Sequence, residues 1–291
     1  MAVPDAEFVL VDDGSTDGTL QLARELQEHY GSGRIIVIPL AGNQGAQIAR
    51  NRGMESARGE MILFCDSDDV LVASGVNELV YSLNQNPNLD YAYGKVVMTD
   101  AALVPLEAVS PIGSAFENSP IEIAGYHWHT MGALYRKRFL AKVGPWNPNL
   151  SGSQDWEYQA RVKLTEGRGM FIDLLVGYWR QHDGGRVGTK KFRPDYVRSV
   201  VAACDAILKD ANQKGQSDAS LHRRLAKKLI IHALECSEAR DEGLRSLCFA
   251  QARRTLMGDI PAQVVCALFL YMPPCIAGLL WRHITGQRFK S

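Results

Sequence analysis

The feature that most constrains this chain is a cluster of acidic residues directly after an apolar run. Met61–Phe64 is apolar and indicates a buried strand, and Asp66, Asp68 and Asp69 follow it within a few positions. So much negative charge at the end of a buried strand is unfavourable unless a cation neutralises it. Mg²⁺ and Mn²⁺ typically bind through one or two carboxylates together with phosphate oxygens of a ligand. The cluster therefore predicts a divalent-ion site that also binds a phosphorylated ligand.

A second acidic pair supports the same interpretation. Asp12 and Asp13 end the apolar run Phe8–Val11, just as the first cluster follows its own strand. Two strands that both end in carboxylates indicate a nucleotide-diphosphate site at the carboxyl edge of an α/β sheet. Predicted strands and helices alternate along this part of the chain, which favours a mainly parallel, layered α/β sheet.

Apolar spacing and turn residues divide the chain into predicted elements. The predicted strands are 8–11, 34–40, 60–65, 90–99 and 170–179. The predicted helices are 20–30, 46–57, 73–85, 136–143 and 154–166. Residues 101–125 are predicted to form a loop, and the pattern from 193 to 258 is helical almost throughout. We therefore predict an α/β domain at 1–190 and a mostly helical extension at 191–291.

Composition and charge narrow the class of protein. The chain is 46% hydrophobic and 22% charged, as in ordinary globular proteins. Its net charge is zero, but residues 1–185 contain 14 Lys and Arg against 23 Asp and Glu, whereas residues 186–291 contain 18 against 9. The acidic part suits metal binding, and the basic part suits an anionic surface or substrate rather than nucleic acid.

The cysteines and the two ends of the chain bear on its location. The six cysteines form no Cys-x-x-Cys pair, so buried reduced thiols in a cytoplasmic protein are expected. Residues 1–10 do not have the pattern of a signal peptide. Residues 260–281 contain no charged residue and are flanked by cations, but Pro261, Pro273 and Pro274 argue against one straight helix. An interfacial segment on anionic lipid and ordinary packing against the protein fit equally well. The expected location is the cytoplasm, either free or at the cytoplasmic face of the inner membrane.

Short motifs in one order then identify a resemblance. They are Val11–Thr19, Asn43–Gly45, Ala49–Gly53, Ala57–Glu60, Asp66–Asp69, Gln154–Trp156 and Arg180–His182. Together they resemble the family 2 glycosyltransferases of GT-A fold, from about Glu7 to His182. The resemblance implies metal-dependent transfer of a sugar from a nucleotide-diphosphate sugar, above all a UDP-sugar, with inversion. It implies an acceptor hydroxyl on a saccharide or a lipid-linked molecule, in polysaccharide or glycoconjugate synthesis.

The chain departs from the family pattern in two places. Members normally have a strand and a helix ahead of the Asp-Asp-Gly-Ser motif, and that strand lies centrally in the sheet. Six residues precede Glu7, so this strand and helix are expected to be absent from the chain as given. Gln154 stands where the family usually has Glu.

The resemblance assigns four residues to the nucleotide. Asp13 would accept a hydrogen bond from the uracil N3–H, because a carboxylate is an acceptor only. Asp12 would cap the turn or contact the nucleotide, and Arg50 and Asn51 would face it from a helix. The alternatives are turn initiation and helix capping for the two aspartates, and an ordinary surface helix for the other pair.

The resemblance also implies Mn²⁺ or Mg²⁺ bound by Asp68, Asp66 and His182, with Asp66 in contact with the ribose or the metal. On an extended segment alternate side chains face the same side, so both aspartates could point at one ion. Asp69 would orient the ligands. The alternatives are a solvated acidic turn and a structural histidine.

The remaining roles concern the acceptor side. Asp155 is the predicted general base, because a sugar hydroxyl is a poor nucleophile unless its proton is removed as it attacks. The positive end of the helix dipole would favour its charged form, and a purely helix-stabilising charge is the alternative. Gln154, Trp146 and Trp156 are predicted to contact the acceptor, although tryptophans are more often core residues. His127–His129 has metal-like spacing, but an acceptor-pocket or packing role is favoured over zinc.

Two other functions remain open at this point. A sugar-1-phosphate nucleotidyltransferase also uses carboxylate-held Mg²⁺ on a similar sheet, but it should have a Gly-rich basic loop after its first strand. A non-catalytic nucleotide-binding or membrane-docking remnant is the second alternative, and the absent first strand favours it.

Overall fold

The structure is a computed structural model that describes residues 6–110, 128–181 and 194–256, together with 258, 259, 263 and 266. The described residues form two compact units. The first consists of residues 6–110, 128–150 and 154–181, and the second of residues 151–153 and those from 194 onward. All described strands belong to the first unit, and the second is helical. The predicted boundary near residue 190 falls outside the described residues.

The first unit contains eight described strands and five described α-helices. The strands are β1 (Phe8–Asp12), β2 (Ile35–Pro39), β3 (Met61–Leu63), β4 (Val70–Leu71), β5 (Tyr91–Thr99), β6 (Pro105–Ser110), β7 (Ala133–Arg136) and β8 (Gly169–Arg180). The helices are α1 (Thr19–Tyr30), α2 (Ala46–Ser56), α3 (Ala73–Gln85), α4 (Lys137–Val143) and α5 (Gln154–Leu164), with a 3₁₀ turn at Thr130–Gly132.

The strands form two sheets. β1 and β2 form a parallel pair, and the larger sheet has the order β3-β7-β5-β8-β4, with β6 paired to β5. In the larger sheet only β5 and β8 run parallel, and the other pairs are antiparallel. The prediction of a mainly parallel sheet is therefore wrong for the larger sheet. Among the residues that the structure describes, no strand pairing joins β1 to β3.

Three short strands were not predicted. β4 and β7 have only two and four residues, too few for a period-2 pattern to stand out. β6 lies within the predicted loop 101–125 and pairs with the last residues of β5 through an irregular register. It begins at Pro105, a position where a strand tolerates the missing N–H of proline. Residues 111–127 lie outside the described part of the chain.

Two apolar clusters pack against the larger sheet. One is rich in aromatic side chains and contains Trp128, Trp146, Tyr93, Tyr158 and Phe139. The other joins α3 to the strands and contains Leu79, Leu83, Leu134 and Val176. Each buried large apolar side chain contributes roughly 1.5–3 kcal/mol, so these clusters fix the first residues of β5 and the middle of β8.

The second unit consists of three described helices. They are α6 (Pro194–Gln213), α7 (Ala219–Glu238) and α8 (Glu242–Thr255), which agrees with the helical pattern predicted from 193 to 258. Among the six cysteines, Cys204, Cys236, Cys248 and Cys266 are buried and free, as expected. Cys65 is an exception, because it is free but exposed.

The described part of the chain contains no helix that is both long and apolar enough to cross a membrane. Of the uncharged segment 260–281, only residues 263 and 266 are described.

Candidate active site

The two aspartates at the end of β1, the last strand residue Asp12 and the next residue Asp13, bind backbone amides of neighbouring turns. Asp12 is buried, and its Oδ2 accepts a hydrogen bond from the Ser15 amide at 3.2 Å. Both oxygens of Asp13 accept hydrogen bonds from the turn before α2, from the amides of Gln44 at 2.7 Å and Gly45 at 2.8 Å. Asp12 therefore initiates a turn, and Asp13 fixes the loop after β1 to the loop before α2. Neither carboxylate caps α1.

A close approach of glycine backbones tightens the same junction. Gly14 has a φ of +77°, a left-handed conformation that glycine adopts without steric cost. A Cβ at this position would lie 2.5 Å from the Cα of Gly42. The two loops touch backbone to backbone, so the carboxylate of Asp13 can reach its two amides.

The acidic cluster after β3 forms a turn rather than the extended segment that was predicted. β3 ends at Leu63, and the amide of Asp69 donates to the carbonyl of Asp66 at 3.2 Å. Because the segment is folded into a turn, alternation along a strand does not decide which way Asp66 and Asp68 point. A backbone hydrogen bond between residues i and i+3 is typical of a tight turn.

The end of β8 holds this acidic turn. The amide of Arg180 donates to Asp69 Oδ1 at 3.1 Å, and its side-chain Nε donates to the carbonyl of Asp68 at 2.8 Å. The side chain of Asp69 is only 2% exposed, and the ring of His129 lies 3.9 Å from it. Asp69 is thus a structural carboxylate, whereas the residues Asp66 and Asp68 of the same turn are partly exposed.

Arg50 on α2 connects three parts of the site. Its Nη2 forms an ion pair with Asp66 Oδ1 at 2.6 Å, and its Nη1 donates to Gln154 Oε1 at 3.3 Å. Its guanidinium lies over the ring of Trp146, 4.6 Å from the ring centre. The acidic turn and the first residue of α5 therefore meet at one side chain.

Asn51, the next residue of α2, binds the backbone of Trp146. Its Oδ1 accepts from the Trp146 amide at 2.7 Å, and its Nδ2 donates to the Trp146 carbonyl at 2.9 Å. The indole itself stacks on Tyr158 with ring centres 4.1 Å apart. Neither this contact nor the Arg50 contacts have a local signal in the sequence, because the partners are far apart along the chain.

The two tryptophans predicted to contact the acceptor are buried. Trp146 is 2% exposed and Trp156 is 4% exposed. In this structure their rings pack within the protein rather than forming an open platform for a sugar. Both tryptophans are therefore placed as core residues, which was the alternative to a role in acceptor binding.

Asp155 lies in the first turn of α5, as predicted. One of its oxygens, Oδ1, accepts from the Trp156 amide at 2.8 Å, and the side chain is half-buried. In the same helix, Glu157 and Arg161 form a bidentate ion pair that is almost fully buried. A mostly buried helix thus presents Asp155 at its start, where the side chain is half-buried.

The electrostatics of the acidic turn favour a cation. The pKa of the Cys65 thiol is raised to about 12, first by desolvation and then by the carboxylates of Asp69, Asp66 and Asp68. Desolvation is the larger cause, and the remaining part of the rise reflects the negative charge of the three carboxylates. The carboxylates of Asp66 and Asp68 are of the type that Mg²⁺ or Mn²⁺ takes, since such an ion binds one or two carboxylates and completes its shell with phosphate and water.

The third predicted ligand, His182, lies outside the described residues. Within the described ranges, no group of three or more His, Cys, Asp or Glu side chains is placed to hold a metal ion by itself.

Comparison with solved structures identifies the class of fold. The crystal structure of S. aureus TarS 1–349 covers 98% of this chain and 83% of its own, with a TM-score of 0.63 at 18% identity. A structure of the same protein in complex with UDP has a TM-score of 0.59. GalNAc-T7 with UDP, GalNAc and Mn²⁺ has a TM-score of 0.50 at 15% identity, over 77% of this chain and 48% of that one. The predicted GT-A fold with a helical C-terminal part is confirmed, although the larger sheet is mixed rather than mainly parallel.

The sequence also matches a protein family. Residues 2–144 match the family model described as glycosyl transferase family 2. This part of the chain is therefore similar to that family, which favours a glycosyltransferase over a nucleotidyltransferase.

One curated relative is a PGL/p-HBAD biosynthesis glycosyltransferase of Mycobacterium bovis. It is 29% identical over 158 residues, which are 54% of this chain and 58% of the relative. The match thus spans little more than half the length of that protein.

Proposed function

We propose that this chain is a metal-dependent glycosyltransferase that transfers a sugar from a UDP-sugar to an acceptor hydroxyl with inversion. One observation carries the proposal: Arg50 contacts both Asp66 of the acidic turn and Gln154, which directly precedes Asp155. The acidic turn and the residue next to the candidate general base thus meet at one side chain. The UDP complexes of the GT-A neighbours support a nucleotide donor.

In the proposed reaction the acceptor oxygen attacks the anomeric carbon from the face opposite the leaving group. The new carbon–oxygen bond forms as the bond to the diphosphate oxygen breaks, and the nucleoside diphosphate leaves with both bonding electrons. Asp155 takes the proton of the attacking hydroxyl, which is needed because a neutral hydroxyl is a weak nucleophile. Asp155 lies at the start of α5, where its side chain is half-buried and partly open to solvent.

Asp66 and Asp68 are the residues that would hold Mn²⁺ or Mg²⁺, with His182 as a proposed third ligand. When bound, such an ion would neutralise the charge that develops on the diphosphate. Arg180 fixes the backbone of the turn that carries both aspartates, so the protein prepares this donor set before a ligand arrives. Mn²⁺ in the structure of GalNAc-T7 supports this choice of ion.

The experiment that tests this function is Asp155→Asn. We expect release of UDP from a panel of UDP-sugars to fall by a factor on the order of 10²–10⁴, because the base is lost. Calorimetric binding of UDP with Mn²⁺ should stay unchanged. Asp173→Asn is the matched control, because Asp173 is exposed on β8 and forms an ion pair with the exposed Lys95. Wild-type turnover in Asp155→Asn would reject the assignment, and no binding of UDP with Mn²⁺ to the wild-type chain would favour a non-catalytic remnant.

We further propose that the acceptor is a saccharide or lipid-linked molecule met at the cytoplasmic face of a membrane. The basic part of the chain and the uncharged residues 260–281 support it, and Arg223, Arg224 and Lys227 are exposed on α7. Anionic lipid attracts such cations. The chain should float with vesicles of phosphatidylcholine that contain phosphatidylglycerol and not with phosphatidylcholine alone. Equal behaviour with both vesicles would contradict a charge-driven contact.

A further inference from the structure

We propose that Arg50 is a positioning residue that links Asp66 of the acidic turn to Gln154, the first residue of α5. This link would fix the spacing between the acidic turn and Asp155. The inference rests on the proposed function, because that function gives Asp66 and Asp155 their roles. The general base and the donor site must be held at a set distance for attack, since small misplacements lower the rate strongly.

The guanidinium group is suited to this task because it is rigid and planar. Its two terminal nitrogens bind different elements, with Nη2 on Asp66 at 2.6 Å and Nη1 on Gln154 at 3.3 Å. The separation of these nitrogens is set by covalent geometry, so the two partners are held at a nearly constant spacing. A lysine at this position has one ammonium group on a flexible stem and does not reproduce the fork.

The guanidinium is itself held in place. Its side chain is only 14% exposed, and it lies against the ring of Trp146 at 4.6 Å. The side chain of Asn51, from the same helix, accepts from the backbone amide of Trp146 and donates to its backbone carbonyl. Tyr158 stacks on the indole. Helix α2 thus holds both the arginine and the ring beneath it, which fixes where the link points.

Gln154 directs its side-chain oxygen to Arg50, and it is the first residue of α5. Its neighbour Asp155 follows on the same helical turn, so fixing Gln154 fixes the start of the helix that carries the base. Arg161 anchors that helix about two turns later through Glu157 and through the carbonyl of Val143. The oxygen of Gln154 therefore serves the link rather than the acceptor.

The test measures UDP release from the best UDP-sugar of the panel, with water as the only acceptor. Gln154→Leu, which removes the oxygen at similar size, should lower kcat on the order of ten- to a hundredfold and leave KM for the donor within about twofold. Gln154→Glu keeps an oxygen acceptor and should retain wild-type kcat. Arg50→Lys should also lower kcat, and the double variant should be no slower than the slower single variant, because both changes break one link. Arg52→Lys, an exposed arginine two residues away on α2, is the control.

Three results would overturn the proposal. The first is wild-type hydrolysis in Gln154→Leu, as expected if this residue contacts only the acceptor. The second is a double variant whose loss is the product of the single losses. The third is independent of activity: thermal midpoints of the two single variants that add up in the double variant would mean that Arg50 and Gln154 are not coupled. Coupled midpoints without any turnover in the wild type would leave the link intact and reject the proposed function alone.

Discussion

At the scale of single residues, the glycine at position 14 explains how two distant loops form one surface. Its positive φ and its contact with the backbone of Gly42 let the loop after β1 lie flat against the loop before α2. The hydrogen bonds that the amides of Gln44 and Gly45 donate to Asp13 depend on that contact. A nucleotide bound by this loop would therefore be sensitive to a residue that need not touch it.

We expect Gly14→Ala to destabilise the first unit by about 1–3 kcal/mol, because the added Cβ overlaps backbone atoms that cannot move aside. The measurement is the denaturant midpoint, with calorimetric affinity for UDP as a second readout. Gly18→Ala is the matched control, because Gly18 lies in the same loop at a φ of −76° and its Cβ would have no neighbour within 4 Å. Equal midpoints for the two variants would contradict the packing argument.

The sequence predicted where several site residues lie but not what they contact. The first-turn position of Asp155 follows from the helical spacing that begins at Gln154. The partners of Arg50 lie 16 and 104 positions away, and no local pattern carries that information. Burial of Trp146 and Trp156 is likewise set by packing between elements, because the same residue type serves cores and binding sites.

At the scale of elements, apolar runs were sufficient to predict the position of a strand or helix that is long enough to show its own periodicity. β1, β2 and α1–α3 lie close to their predicted bounds. The direction of pairing was not predicted correctly, because β7 and β4 insert antiparallel neighbours that leave only short runs in the sequence. The acidic turn was predicted to be extended, because the sequence does not show that Arg180, far away at the end of β8, contacts this turn.

Helix α5 depends on one buried ion pair. Arg161 contacts both oxygens of Glu157 and also the carbonyl of Val143. Arg161→Met should cost about 3–5 kcal/mol in unfolding free energy, because it leaves a buried carboxylate without its partner. The double variant Glu157→Leu with Arg161→Met should be more stable than Arg161→Met alone. Arg52→Met, in an exposed pair with Glu55, should change stability by less than about 1 kcal/mol. A similar loss in both arginine variants would argue against a special role for burial.

The contribution of Glu7, just before β1, to the stability of the fold should depend on pH. Glu7 accepts hydrogen bonds from the amides of Arg58 and Gly59 and pairs with the Arg58 side chain. Desolvation raises the pKa of Glu7, but these hydrogen bonds outweigh it, so the pKa lies below its ordinary value of 4.5. A lowered native pKa stabilises the fold above the unfolded pKa, and this contribution is lost as the pH falls through the native pKa.

Glu7→Gln should therefore lower the thermal midpoint at pH 7, and the difference from the wild type should shrink as the pH falls below about 4.5. Glu28→Gln, an exposed change on α1, is the control. A difference that stays constant from pH 7 to pH 3 would mean that the charge of Glu7 does not stabilise this junction.

At the scale of the whole molecule, the site is assembled from segments spread along most of the first unit. Side chains come from the turn after β1, helix α2, the acidic turn and the start of α5. Arg180 at the end of β8 forms hydrogen bonds with the acidic turn. A ligand that binds these segments together should stabilise the folded state by mass action. At a concentration of 100 times Kd the gain is about 2.7 kcal/mol, or a rise in thermal midpoint of about 5–10 °C for a unit of this size.

We expect UDP with Mn²⁺ to produce a shift of that order in the wild type and UDP with EDTA to produce a much smaller one, because the diphosphate then lacks a cation to bridge it to the acidic turn. Asp68→Asn should remove the metal-dependent part of the shift. Asp210→Asn makes the same change on α6, where the aspartate pairs with Lys214, and it should leave the shift unchanged. An equal shift in EDTA, or a full metal-dependent shift in Asp68→Asn, would separate nucleotide binding from these carboxylates and contradict a metal site at the acidic turn.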